Sequence, residues 1–269
     1  MGANFTLPRG PLSWIAGPID FTGDDNLGIY TTSTVQRYIY GTRYITWDGR
    51  VYKYCNAVAA VYSYWGAQAY EDAALSWTVL PAGGVVAAGS RHCVVTLGSR
   101  TTNDLAGGYF MLYDASVSTT AYNQSTYLYG IVGNNDTATV TTLYLDGAIP
   151  VLTTTSDASE VFENPYREVK AGASTSAGYA PVVCIPARSS SAGYKFWGQT
   201  WGPAYVSPTN TSIDDPTSVQ GRVSFSGAGA SGGLVVGLAA SQTAGFILNP
   251  DVTGGGGIAG PLIMLQISI

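Results

Sequence analysis

The chain has 269 residues, of which 46% are hydrophobic and only 11% charged, and its formal net charge is -5. An acidic chain whose 12 Lys and Arg are scattered along its length has no basic patch, which argues against nucleic acid and anionic membrane as partners. No run of about 20 apolar residues is present for a membrane helix, and the length allows one large β domain or two smaller ones.

Charge is replaced by 34 Gly, 19 Tyr and many Thr and Ser. Such a surface suits contact with other proteins, because Tyr combines large area with few rotors and a hydrated hydroxyl. The same residues also serve strand propensity, so composition alone leaves both readings open. The three cysteines, Cys55, Cys93 and Cys184, are far apart and no two have metal-ligand spacing. The odd count, with no basic-then-apolar opening stretch, leads us to expect reduced, buried thiols and synthesis in a cytoplasm.

Residues 1–35 read as an extended N-terminal arm, broken by Pro and Gly and without periodicity. Phe5, Leu7, Trp14, Ile15 and Phe21 are too apolar for a solvated tail. The arm is expected to lie on its own body or on a neighbouring subunit. Next comes a hairpin, YITWDGRVYKYCN, turning at Asp48-Gly49. A two-residue type I′ loop would set Trp47 opposite Arg50, Thr46 opposite Val51, Ile45 opposite Tyr52 and Tyr44 opposite Lys53. The core face would then hold Ile45, Trp47, Tyr52 and Tyr54.

One two-turn helix is expected at Tyr70 to Trp77. Strands are expected at HCVVTLG, GGYFMLYD, STYLYGIVG, TVTTLYLDG, PVVCIPA, GYKFWGQTWG, GRVSFSG, GLVVGLA, GFIL and PLIMLQISI. PVVCIPA, with Pro at both ends, is expected at a sheet edge. Residues 207–220 and the glycine run at 254–257 read as long loops. The expected fold is all-β, a β-sandwich or β-barrel-like body of short antiparallel strands. We place a β domain at 36–152, followed at 153–269 by a second β domain or a continuation of the first.

Chemistry is sparse. His92 is the sole histidine, and alternation puts it on the strand face opposite Cys93, so the two cannot form a nucleophile-base pair. No Gly-x-Ser-x-Gly elbow is present. The acidic pairs Asp24-Asp25 and Asp214-Asp215 lie in Pro/Gly/Asn-rich stretches where Asp is the ordinary turn residue. No catalytic, cofactor or metal residues are therefore assigned. Trp197 and Trp201, four apart on one strand, are expected on one face, either in a packed aromatic stripe or as a glycan-stacking platform.

The segments TRYITWDGRVYKYCNA, AGGYFMLYD, LYGIVGN, TLYLDGAI, NPYREV, PVVCIPAR and AGYKFWGQTWGPAYV resemble tailed-bacteriophage virion proteins of the capsid decoration, or cement, kind. The resemblance runs from about Tyr44 to Val206. Its most specific parts are Leu143 to Gly147, Asn164-Pro165-Tyr166 and Gly193 to Pro203. It implies a non-enzymatic virion protein, located on the capsid surface and made in the host bacterial cytoplasm. Such a protein would form a homotrimer, bridge major capsid protein subunits and stabilise the head against packed DNA. The alternative is a head or tail fibre subunit that binds host glycans through aromatics; a tail-tube protein and a glycan hydrolase stand further off. The residues expected at partner contacts are Phe5, Leu7, Trp14, Ile15, Arg50, Lys53, Trp197 and Trp201.

Overall fold

A computed structural model describes residues 14–16, 28–69, 78–97, 100–114, 125–136, 139–172, 181–209, 221–226, 232–236, 242–249 and 260–268. The fold is all-β, built from two curled, largely antiparallel sheets that each form a half-barrel. Among the described residues the one helical element is a 3-10 turn at Ala82–Gly84. The helix expected at Tyr70 to Trp77 lies outside the described residues, as do positions 210–220 and 254–257 of the expected long loops.

The chain divides into two units. The first spans Asp72–Asn164 and the second combines Trp14–Glu71 with Pro165–Ile269. The expected boundary at 152/153 is therefore corrected. A cut there would separate the strand at Ala158–Phe162 from Tyr109–Asp114, with which it is paired from Ala158↔Tyr113 to Phe162↔Tyr109.

The first unit carries β5 (Thr78–Val79), β6 (His92–Val95), β7 (Tyr109–Asp114), β8 (Ser125–Asp136), β9 (Thr141–Leu145) and β10 (Ala158–Phe162). Their order in the sheet is β5-β10-β7-β8-β9-β6. Period-two patterning selects the buried face: Phe110 and Leu112 of β7, Ile131 of β8, Leu143 of β9 and Val161 of β10 all point into one core. Burying each such side chain stabilises the fold by roughly 1.5–3 kcal/mol. Cys93 lies in the same core while His92 is exposed, as alternation requires. The buried Asn134 holds the loop before β7: its Oδ1 accepts from Leu105 N (2.8 Å) and its Nδ2 donates to Thr101 O (3.0 Å). An apolar side chain there would leave the buried Leu105 N–H without its partner.

The second unit carries β1 (Trp14–Ala16), β2 (Arg43–Ile45), β3 (Val51–Asn56), β4 (Ala67–Ala69), β11 (Val169–Ala171), β12 (Val182–Pro186) and β13 (Lys195–Tyr205). It continues with β14 (Arg222–Phe225), β15 (Leu234–Val236), β16 (Thr243–Asn249) and β17 (Leu262–Gln266). The main path is β1-β2-β3-β13-β17-β16-β14-β15, with β12 joining β13 to β4 and β4 pairing with β11. The long strand β13 is its spine, laddered to β3 over its first half and to β17 over its second.

Two expectations are revised here, and one of the two placements left open for the arm is found. The segment PVVCIPA carries β12 at Val182–Pro186, a strand buried throughout and paired with both β13 and β4, so it is not an edge. Its prolines sit where ladders end. The Gln242 side chain closes the N-terminal end, accepting from Val182 N (2.7 Å) and donating to Val182 O (2.8 Å). Second, β1 runs parallel to β2, from Trp14↔Arg43 to Ala16↔Ile45, so this part of the arm lies on the chain's own sheet. Phe5 and Leu7 lie outside the described residues. Third, β2 and β3 pair as Tyr44↔Tyr52 and Ile45↔Val51, one residue out of the expected register.

Candidate contact surfaces

The register difference comes from the turn. Gly49 N donates to Thr46 O (3.0 Å) and Thr46 N donates to Arg50 O (2.9 Å), which makes Trp47-Asp48-Gly49 a three-residue loop. Gly49 has φ +82°, the left-handed residue of a type I turn plus G1 bulge. Asp-Gly serves both this turn and the type I′ turn, so the dipeptide alone could not set the register. The shift puts Tyr44, Tyr52 and Tyr54 together in a buried cluster with Trp197. Trp47, expected in the core, is instead 98% exposed at the tip.

The tip is tied down by side chains. Thr46 Oγ1 donates to Asp48 Oδ1. Arg50 Nε donates to Asp48 Oδ2 (2.8 Å), and Arg50 Nη1 donates to the Tyr52 hydroxyl (3.0 Å). The Tyr30 hydroxyl also engages Arg50, while most of the Tyr30 side chain is exposed. Burial alone would raise the Asp48 carboxyl, but hydrogen bonds from Thr46 and Arg50 and the guanidinium charge outweigh it, leaving Asp48 below the ordinary value. Burial likewise pushes the Tyr52 phenol up to about 12. Behind the tip, Gln199 Nε2 donates to Trp201 O (3.1 Å) and Pro203 O (2.8 Å). A Cβ on Gly202 would lie 3.0 Å from Arg50 Cα, so the hairpin packs closely on β13 there.

The sequence-predicted contact residues separate. Arg50 is at the tip, partly exposed. Lys53 is half-buried, with Nζ 5.9 Å above the Tyr166 ring, and burial followed by the charge of Arg43 lowers its pKa. Trp197 is 2% exposed and packs edge-on against Tyr54 at a centroid distance of 5.2 Å. Its assignment to a contact or glycan-stacking surface is corrected. Trp201 does not share its face. The ladder with β3 shifts between Gln199↔Tyr52 and Trp201↔Val51, so a bulge at Thr200 turns Trp201 to the other side. Trp14 and Ile15 lie on β1.

A second surface was not foreseen. The outer face of the first unit's sheet should be polar if it faced only water. Instead Phe162 stands opposite Tyr109, and Glu160, Met111 and Leu128 form the next row. Tyr109, Phe162 and Tyr144 are exposed, and Leu128 is 62% exposed. Glu160 is the one charged side chain on this face of β7 and β10, and it accepts from the Tyr113 hydroxyl (3.2 Å). The alternation that predicted the strands also reveals this face, once both parities are seen to be apolar.

His92 Nδ1 lies 3.1 Å from Ser90 Oγ, but Ser90 Oγ also accepts from His92 N (3.3 Å). That is a local serine turn at a strand start. Among the described residues no three of His, Cys, Asp and Glu gather as a metal site. Cys55 and Cys184 are buried with Sγ atoms 3.8 Å apart, and burial raises the Cys55 thiol well above its ordinary value. Asp24, Asp25, Asp214 and Asp215 lie outside the described residues. No known family model and no curated protein matches the chain.

Proposed function

We propose that the chain is a non-enzymatic structural protein of a phage virion. In this reading it binds the outer surface of the capsid, bridges major capsid protein subunits and stabilises the head against packed DNA. The observation that carries the proposal is the apolar outer face of the β10-β7-β8 rows, where a solvated sheet would be polar. A face of this kind favours lasting contact with protein. The resemblance to decoration proteins supplies the identity of the surface and the homotrimeric state. The fibre reading loses its best-placed platform with the burial of Trp197.

The test is quantitative mass spectrometry of gradient-purified particles from the source. Abundance comparable to the major capsid protein is expected. A few copies per particle would move the assignment to a fibre or tail part, and absence would refute a virion role.

A further inference from the structure

We propose that Trp47 is the anchor of docking, and that its indole is buried on binding in an uncharged, apolar pocket of the capsid shell protein. This rests on the capsid-binding reading above, and adds the residue and the chemistry of its seat.

Three observations carry it. First, Trp47 is 98% exposed, so it contributes almost nothing to packing within the chain. Trp offers more contact area than any other side chain, and with Tyr and Arg it dominates interface hot spots. Tyr30, itself 57% exposed, and Arg50 stand beside each other at the same tip.

Second, the tip is pre-organised. The two backbone bonds of the turn, the Thr46–Asp48 bond and the Arg50–Asp48 ion pair (2.8 Å) fix the loop before any partner arrives. Docking a fixed loop avoids most of the ordering cost that weakens flexible contacts.

Third, the charges at the tip are already matched. Asp48 and Arg50 satisfy each other, so a charged seat would have to compete with that pair, whereas a neutral apolar seat would not. A lipid surface fits less well. The guanidinium of Arg50 at the tip is already paired with Asp48, and a chain of net charge -5 is repelled by anionic headgroups.

The experiment uses particles of the source phage prepared without this chain, to which purified full-length protein is added back. Wild type, Trp47→Ala and Trp47→Phe are compared for binding, with circular dichroism to check their fold. Because Trp47 supports nothing within the chain, both variants are expected to fold normally. Trp47→Ala should lose at least about thirty-fold in affinity, and Trp47→Phe less. Equal binding of wild type and Trp47→Ala would overturn the anchor and leave the capsid reading standing. Failure of the wild type to bind would overturn both. Trp47-dependent binding to phosphatidylcholine vesicles would overturn the protein seat.

Discussion

Gly198→Ala tests the packing of the second unit where β13 lies against Cys184 and Cys55. A Cβ on Gly198 would lie 2.3 Å from Cys184 Sγ, 2.6 Å from Cys184 Cβ and 3.4 Å from Cys55 Sγ. Both thiols are fully buried. The backbone cannot step aside, because Gly198 is laddered to Lys53 on one flank and to Pro186 on the other. Overpacking a core by one methyl costs about 1–3 kcal/mol, and two contacts this short put the expected cost at about 3 kcal/mol or more. That is a large part of a typical stability of roughly 5–15 kcal/mol. Urea unfolding should show a lower midpoint with an unchanged slope. Cys184→Gly removes both offending atoms, so in the double variant Gly198→Ala should cost far less than it does alone. Cys184→Ala removes only the sulfur and should relieve the clash in part. A Gly198→Ala protein within about 0.5 kcal/mol of wild type, or strictly additive double variants, would refute this account of the packing.

Gly49→Ala should cost only about 1–2 kcal/mol, because the left-handed backbone is strained but no atom lies within 4 Å of the added Cβ. Thermal melts would check it, and a much larger loss would mean the turn is not open as described. Tyr52 and Tyr54 have folded pKa values of about 12 against 10.0 unperturbed, with burial the leading cause. Their contribution to stability is complete below pH 10.0 and is lost as pH rises toward about 12. Phenolate absorbance should therefore rise together with unfolding in that window; free titration of every Tyr near its ordinary value in folded protein would contradict it. Asn134→Ala should cost about 1–3 kcal/mol by leaving the buried Leu105 N–H without its acceptor, read by chemical denaturation. Cys55, Cys93 and Cys184 are all buried, so a thiol reagent should label none of them in the native protein and all three in denaturant.

Much of the architecture was legible because alternation is a local signal. His92-Cys93-Val94-Val95 and Tyr109 to Asp114 read as strands with a buried parity, and they are. What failed depended on single inserted residues or on distant pairing. The G1 bulge at Gly49 moved the hairpin register by one, which sent Trp47 to solvent and Tyr44 to the core. The bulge at Thr200 put Trp197 and Trp201 on different faces despite their spacing of four. PVVCIPA looked like an edge because its prolines were read without knowing that Gln242, far along the chain, supplies backbone-like hydrogen bonds at Val182. At the candidate surfaces, Arg50 was legible as a charged residue near a turn, whereas Trp47 was assigned inward because an apolar residue flanking a turn is ordinarily packed.

The pairing of Ala69 with Val169 has a consequence for how the molecule assembles. The ladder of β4 and β11 closes a loop that contains the whole first unit. If that unit were still unfolded, closure would have to gather a flexible chain on the order of a hundred residues. If it had already folded, with Thr78 paired to Ser159, the effective loop would shrink about fivefold, lowering the entropic cost by roughly 1.4 kcal/mol. That difference favours one order of events: the inserted unit condensing first, and the spine strand β13 meeting β3 afterwards. Kinetically, the second unit should form in the slower phase, and variants that weaken the insert should delay it without touching any of its contacts.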